Sequence, residues 1–117
     1  MKITSAATPH PSGLWTVPGK AANVTHLLRV PSAACPFSRN PVLGLVQLRY
    51  APTGRTLEVV ALHRYLREII RPDQDHPRSV EGLAARIAVD TSAAVGVPVA
   101  VDLLLLIRPW QVLRVRA

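Results

Sequence analysis

Apolar and polar residues alternate along two stretches in the first half of the chain, and a period of two predicts β-strands that are buried on one face. The first stretch runs from Asn23 to Val30 and the second from Val42 to Tyr50. A turn-forming segment, Pro52 to Arg55, separates the second stretch from Thr56 to Val60, which is typical of a third short strand. The sequence therefore predicts that the second and third strands form a β-hairpin.

The second half of the chain changes to a helical period and then returns to strand alternation. Apolar residues fall at helical spacing from Ala61 to Ile70 and from Arg78 to Val95, where Gly96 ends the second helix. Strict alternation follows from Val97 to Ile107 and again near Val112 to Val115. This order predicts an α+β fold in which two helices cover one face of an antiparallel sheet of four or more strands.

The last long strand also bears on how the protein assembles. The face opposite its valines carries Ala100, Asp102, Leu104 and Leu106, so the strand is partly apolar on both sides. One layer of helices cannot cover both faces of such a sheet. We therefore expect a homo-oligomer in which the sheets of different subunits meet.

The first 22 residues differ from the rest because prolines and glycines interrupt them repeatedly, which is typical of a flexible or surface-draped arm. Trp15 lies within this arm and would dock either on its own domain or on a neighbouring subunit. We expect residues 1–22 to form the arm and residues 23–117 to form a single domain.

The composition of the chain indicates which kinds of partner it can bind. The chain has 117 residues and a formal net charge of +7, and 12 of its 14 basic residues are arginine. Arginine makes bidentate contacts to phosphate or carboxylate, so a polyanionic partner or a phosphorylated substrate fits, and a solvated arginine-rich surface fits equally. No segment has the length of a secretory signal or a membrane span, which predicts a cytoplasmic protein with no membrane partner.

Cys35 is the only cysteine, and it lies between Pro31 and Pro36 just before the second strand. A single cysteine excludes an internal disulfide. It leaves a free nucleophile, a buried structural thiol or a metal ligand without cysteine partners. A nucleophilic thiol needs a cationic or hydrogen-bonding neighbour to lower its pKa from about 8.5, and the candidates are Arg39 and His76.

Several residues occur in a register that resembles the tunnelling-fold, or T-fold, superfamily, over about residues 30 to 115. They resemble the 7-cyano-7-deazaguanine reductases called QueF and their archaeal QueF-like relatives at Cys35-Pro36, Ser38, Tyr50-x-Pro52, Glu58, Leu62, Tyr65-Leu66 and His76. The resemblance implies a ββααββ fold whose subunits join into barrels and bind purine- or pterin-like rings at subunit interfaces. It also implies a cysteine that attacks a nitrile.

A second segment, Arg78 to Ala88, is similar to the helix of GTP cyclohydrolase I that carries a ring-anchoring glutamate, and Glu81 falls on that glutamate. A carboxylate there would accept two N–H donors from a guanine-like edge. The alternative is a surface glutamate that pairs with Arg78 one turn earlier.

The chain departs from both families at residues that carry their chemistry. Val42 stands where QueF has an aspartate as general acid, and Pro77 stands where it has an anchoring glutamate. The nicotinamide-binding run is reduced to Glu58 through His63, which argues against NADPH as a reductant. Ser38 stands at one of the zinc-ligand positions of the cyclohydrolase, and two other ligands are also missing. We therefore expect neither a cofactor nor a metal.

The resemblance implies a QueF-like T-fold enzyme that acts on a 7-deazapurine or a related heterocycle, as a small molecule or a tRNA-borne base, and adds an amine rather than hydride to a nitrile-type carbon. It implies catalytic roles for Cys35 and His76, and substrate contacts from Glu81, Glu58, Ser38 and Arg39.

Structural alternatives stay open for these residues: His76 would cap the second helix, and Glu58 would pair across the hairpin with Arg49 or Arg55. Two other functions stay open as well. One is a zinc-free, cyclohydrolase-like enzyme with different chemistry, and the other is a non-catalytic oligomer that binds a ligand or a protein.

Overall fold

Seven strands and two helices make up the part of the chain that the structure, a computed structural model, describes: residues 7–34, 41–70, 80–108 and 111–117. In chain order they are β1 (Thr8–Pro9), β2 (Trp15–Pro18), β3 (Val24–Ala34), β4 (Pro41–Tyr50), β5 (Arg55–Leu57), α1 (Val59–Ile69), α2 (Val80–Val95), β6 (Ala100–Arg108) and β7 (Gln111–Arg116). Two pairs of strands, β3-β4 and β6-β7, flank the two helices in the predicted ββααββ order. The α+β fold class is confirmed.

Four strands form the main antiparallel sheet in the order β3-β4-β6-β7. β3 pairs with β4 from Val24 opposite Tyr50 to Ala34 opposite Pro41. β6 pairs with β4 on one side and with β7 on the other, so the two central strands join the two hairpins. Because side chains alternate across a strand, one face of this sheet meets the helices and the other does not.

The hydrophobic core lies between the main sheet and the helices. On the central strands, six side chains of the helix-covered face are at most 6% exposed: Val46, Leu48, Tyr50, Val101, Leu103 and Leu105. The helices meet them with aliphatic side chains, chiefly Leu62, Leu66, Ala84 and Ile87. Removing these apolar surfaces from water stabilises the fold by roughly 25 cal/mol per Å².

Both helices have the predicted apolar faces. On α1 the buried residues Leu62, Tyr65, Leu66 and Ile69 recur at helical spacing. α2 ends before Gly96, whose φ of 77° is the left-handed conformation that glycine adopts without strain, and the Gly96 N–H donates to the Ser92 carbonyl at 2.8 Å. Within the described elements, neither helix is long and apolar enough to cross a membrane.

The predicted hairpin between the second and third strands is wrong. β5 pairs with β2, from Thr16 opposite Leu57 to Pro18 opposite Arg55, and β1 pairs with the other edge of β2. The Arg55 guanidinium holds this small sheet together, because its Nη2 donates to the Thr16 carbonyl at 2.7 Å and to Thr8 Oγ1 at 2.8 Å. Because β5 has only three residues, these side-chain hydrogen bonds favour its pairing with β2 over a hairpin with β4 through the nearby turn.

The N-terminal segment also contributes to the core. Leu14 is fully buried in the same cluster as Leu48 and Leu62, and Trp15 is half-buried on β2. Part of the predicted arm is therefore in contact with the domain. The boundary at residue 22 stays a prediction.

The face of the main sheet that the helices leave uncovered is mixed in character. Leu27 and Val112 are 68% and 57% exposed there. Asp102 accepts from Arg114, with Nη2 at 2.6 Å and Nε at 3.1 Å, and Arg116 Nε lies 3.7 Å from the same carboxylate. The hydrogen bonds from Arg114 lower the pKa of Asp102. The homo-oligomer expected from this face stays a prediction.

Candidate active site

Four of the six residues that the sequence assigns to the site lie outside the described residues: Cys35, Ser38, Arg39 and His76. Their catalytic and binding roles stay predictions. Ala34 and Pro41, which flank residues 35–40 in the sequence, lie opposite each other in the main sheet. Of the predicted set, the structure describes Glu58 and Glu81.

Glu58 lies at the junction between β5 and α1 and caps the helix. Its Oε2 accepts a hydrogen bond from the Ala61 N–H at 2.7 Å, and its Oε1 accepts one from the Val60 N–H at 3.1 Å. The Glu58 N–H donates to the Trp15 carbonyl at 2.8 Å, which ties β2 to the start of the helix. A buried carboxylate here satisfies two N–H groups of the first turn and is stabilised by the helix dipole.

The expected pairing of Glu58 with Arg49 or Arg55 is wrong, because it assumed that β4 and β5 form a hairpin. Arg55 reaches β1 and β2 instead, and both carboxylate oxygens of Glu58 accept from α1 amides. A carboxylate oxygen has two acceptor lone pairs. Capping therefore uses one lone pair on each oxygen of the buried Glu58 carboxylate.

Tyr50, at the end of β4, connects the main sheet to this junction. Its hydroxyl oxygen accepts a hydrogen bond from the Leu57 N–H at 2.8 Å and lies 2.9 Å from Nε2 of His26 on β3. The two rings stack with their centroids 5.7 Å apart and their planes at 24°. Leu57 directly precedes Glu58, so the polar chain from His26 ends beside the capping carboxylate.

Burial keeps both rings of this pair neutral. Removal from water lowers the pKa of His26 and raises the pKa of Tyr50, with the Leu57 N–H opposing the second shift. A hydroxyl oxygen has two acceptor lone pairs, so the Tyr50 oxygen can accept from Leu57 and either donate to His26 Nε2 or accept from it, according to the tautomer of the imidazole.

Glu81 lies in the first turn of α2, where its side chain is exposed. An exposed carboxylate in the first turn is favoured by the helix dipole. Arg78, its alternative partner, lies outside the described residues. Glu58 lies at the start of α1 and Glu81 in the first turn of α2.

An open cleft of about 330 Å³ lies elsewhere, between α1, α2 and the β1–β2 turn, and is lined by Ser12, Gly13, Arg64, Tyr65, Glu68, Ile69 and Arg86. It contains none of the predicted site residues. Beside it, the Tyr65 hydroxyl donates to Asp90 Oδ2 at 2.5 Å and joins the two helices. Burial and this hydrogen bond raise the pKa of Tyr65.

The described ranges hold no group of three His, Cys, Asp or Glu side chains arranged to bind a metal ion. Cys35 and His76 do not belong to these ranges.

No family model matches the chain, and no curated protein matches it by sequence. Among solved structures, the chain is similar to the archaeosine synthase QueF-Like in its apo form, with a TM-score of 0.62 and 22% sequence identity. The match covers 85% of this chain and 94% of that one. The chain has the T-fold. At this identity the likeness establishes the fold, and it confirms the fold that the Cys35 and Tyr50 motifs implied.

Two features of this T-fold chain were missed from the sequence. His26 was placed only on an alternating strand, yet in an antiparallel pair that sets Val24 opposite Tyr50, His26 lies diagonally across from Tyr50. The contact between His26 and Tyr50 can be predicted from the sequence only when this strand register is known. The capping role of Glu58 was missed because Glu58 was placed in a strand from Thr56 to Val60 and was weighed as a substrate contact or a cross-hairpin ion pair, and not as a helix cap.

Proposed function

We propose that this protein is a QueF-like T-fold enzyme that acts on a 7-deazapurine or a related heterocycle through the thiol of Cys35. The observation that carries the proposal is the likeness in fold to a structure described as an archaeosine synthase, over 85% of the chain. The Cys35-Pro36 motif, which directly follows β3, supports the nucleophile.

The proposed reaction needs no reductant. The sulfur of Cys35 forms a bond to a nitrile carbon, and the thiol proton goes to the nitrile nitrogen, which gives a thioimide. An amine then adds to the same carbon, the C–S bond breaks, and an amidine leaves while the thiol is restored. His76 would relay the protons, because Val42 stands where an acidic residue would otherwise do so.

Ring recognition would fall to the two glutamates. Glu81 is exposed in the first turn of α2, where its carboxylate is available to two N–H donors of a guanine-like edge. Glu58 keeps one lone pair per oxygen after capping, in a buried setting that strengthens hydrogen bonds. Ser38 and Arg39 follow Cys35 closely in the sequence and would contact the substrate, with Arg39 also stabilising the thiolate.

The test is mass spectrometry of the intact protein after incubation with 7-cyano-7-deazaguanine without amine. A thiol that adds across the nitrile raises the protein mass by the whole mass of the compound, and peptide mapping should place it on Cys35. Cys35→Ala should form no adduct, whereas Glu68→Ala, on the exposed face of α1, should still form it. An unmodified wild-type protein under conditions where the compound binds would refute the nucleophilic role.

A further inference from the structure

A partly buried polar chain links β3 of the main sheet to the start of α1. It runs from His26 Nε2 to the Tyr50 hydroxyl at 2.9 Å and from that oxygen to the Leu57 N–H at 2.8 Å, and Leu57 is bonded to Glu58. We propose that His26 and Tyr50 form a positioning pair that fixes the Glu58 carboxylate at the N-terminus of α1. The use of that carboxylate in substrate binding rests on the proposed function, whereas the coupling within the protein does not.

The Leu57 N–H depends on the Tyr50 hydroxyl as its hydrogen-bond acceptor. β5 is an edge strand of the small sheet and pairs only with β2 among the described strands. The Leu57 N–H is buried, and the Tyr50 oxygen is its acceptor. A buried N–H that loses its acceptor is costly. The backbone before Glu58 would therefore shift if the hydroxyl were removed.

Glu58 is held from a second direction as well. Its N–H donates to the Trp15 carbonyl at 2.8 Å, and its carbonyl accepts from the Leu62 N–H at 3.0 Å. The contacts at Leu57 and Trp15 thus hold the backbone on both sides of Glu58, whose two carboxylate oxygens accept from the α1 amides. His26 and Tyr50 thus act on Glu58 through the backbone, without touching a ligand.

The protonation state of His26 determines which hydrogen bonds the Tyr50 hydroxyl makes. The pair requires the tautomer of neutral His26 that is protonated on Nδ1, in which Nε2 accepts the Tyr50 proton and the oxygen lone pairs remain for Leu57. A protonated imidazole would donate to the same oxygen and leave the Tyr50 proton without an acceptor. Tyr50 is the titratable group in contact with the His26 ring, and no charged side chain of the described ranges shifts the pKa of His26.

The experiment uses the full chain and two readouts. Amide hydrogen exchange, followed by NMR, reports on Leu57, Val60 and Ala61 relative to the core amides of Leu48 and Leu103. Calorimetry with 7-cyano-7-deazaguanine gives the dissociation constant. The variants are Tyr50→Phe, which lacks the hydroxyl, His26→Leu, which cannot accept a proton, and His26→Gln, which keeps an acceptor oxygen. His63→Gln, on the exposed side of α1, is the matched control.

We expect Tyr50→Phe and His26→Leu to speed exchange at Leu57, Val60 and Ala61 on the order of tenfold and to weaken probe binding several-fold. His26→Gln should restore most of both, and His63→Gln should change neither. In the wild type, the Leu57 amide resonance should titrate together with the His26 ring, and in His26→Gln it should not titrate.

Unchanged exchange at Val60 and Ala61 in both damaging variants would overturn the positioning role, whether or not the probe binds. If Tyr50→Phe does not fold, the comparison of His26→Leu with His26→Gln still decides the question. If the wild type binds no probe but the exchange pattern is as expected, the positioning of Glu58 stands and the proposed function fails.

Discussion

Buried polar side chains in this protein each have a specific partner. Thr16, Glu58 and Thr91 are at most 6% exposed. The Thr16 hydroxyl accepts from Arg55 Nε at 3.2 Å, and the Thr91 hydroxyl donates to the Ile87 carbonyl one turn earlier at 2.6 Å. Glu58 caps α1. Because an unpaired buried polar group costs about 1–3 kcal/mol, these contacts limit which residues each position tolerates.

His26 gives the first prediction, which concerns stability and pH. Its pKa is lowered by burial in the folded protein, while in the unfolded chain it is near 6.5. Between these values the unfolded chain binds a proton that the folded protein does not, so the free energy of unfolding should decrease as pH falls below about 6.5. His26→Gln should flatten this slope in urea denaturation series from about pH 8 to about pH 5.

Thr25→Ala, an exposed substitution on the same strand as His26, is the control for this measurement and should leave the slope as in the wild type. A slope that is identical in His26→Gln and the wild type would mean that the His26 ring is solvated in the folded state.

At the level of elements, the N-terminus of α1 depends on one carboxylate. Glu58→Ala removes the acceptor of two first-turn amides, and we expect it to lower the free energy of unfolding by about 1 kcal/mol. Glu58→Gln keeps one acceptor oxygen and should cost less. Glu68→Ala, on the exposed face of the same helix, serves as the control in urea denaturation. Equal losses for Glu58→Ala and Glu68→Ala would contradict the capping role.

The helices and strands also show which parts of the fold can be predicted from sequence patterns. Long periodic stretches gave the four main strands and both helices, because burial of one face dominates their energetics. β5 was paired wrongly, since it has three residues and its partner is set by Arg55, which reaches Thr16 and Thr8 far away in the chain. For the same reason the His26–Tyr50 contact, 24 residues apart, needs the strand register before it can be predicted.

For the molecule as a whole, we predict that the N-terminal segment folds together with the rest of the domain. Leu14 is 0% exposed within the common core. Leu14→Ala should therefore lower the free energy of unfolding by about 2–5 kcal/mol, as a cavity in the core does. Leu27→Ala, at a site that is 68% exposed, should change it by less than about 0.5 kcal/mol.

Urea or thermal denaturation measures both variants. A Leu14→Ala protein as stable as Leu27→Ala would show that the N-terminal segment lies loosely on the domain and contributes nothing to its core.

We propose that this chain binds a purine-like ring, and calorimetric titration with 7-cyano-7-deazaguanine measures that binding. The wild type should bind saturably at about one site per chain, and Cys35→Ala should still bind, because ring recognition does not need the thiol. Glu81→Gln should weaken binding by about tenfold or more, through loss of a charge-assisted bidentate contact. Absence of binding by the wild type, or full binding by Glu81→Gln, would contradict the account.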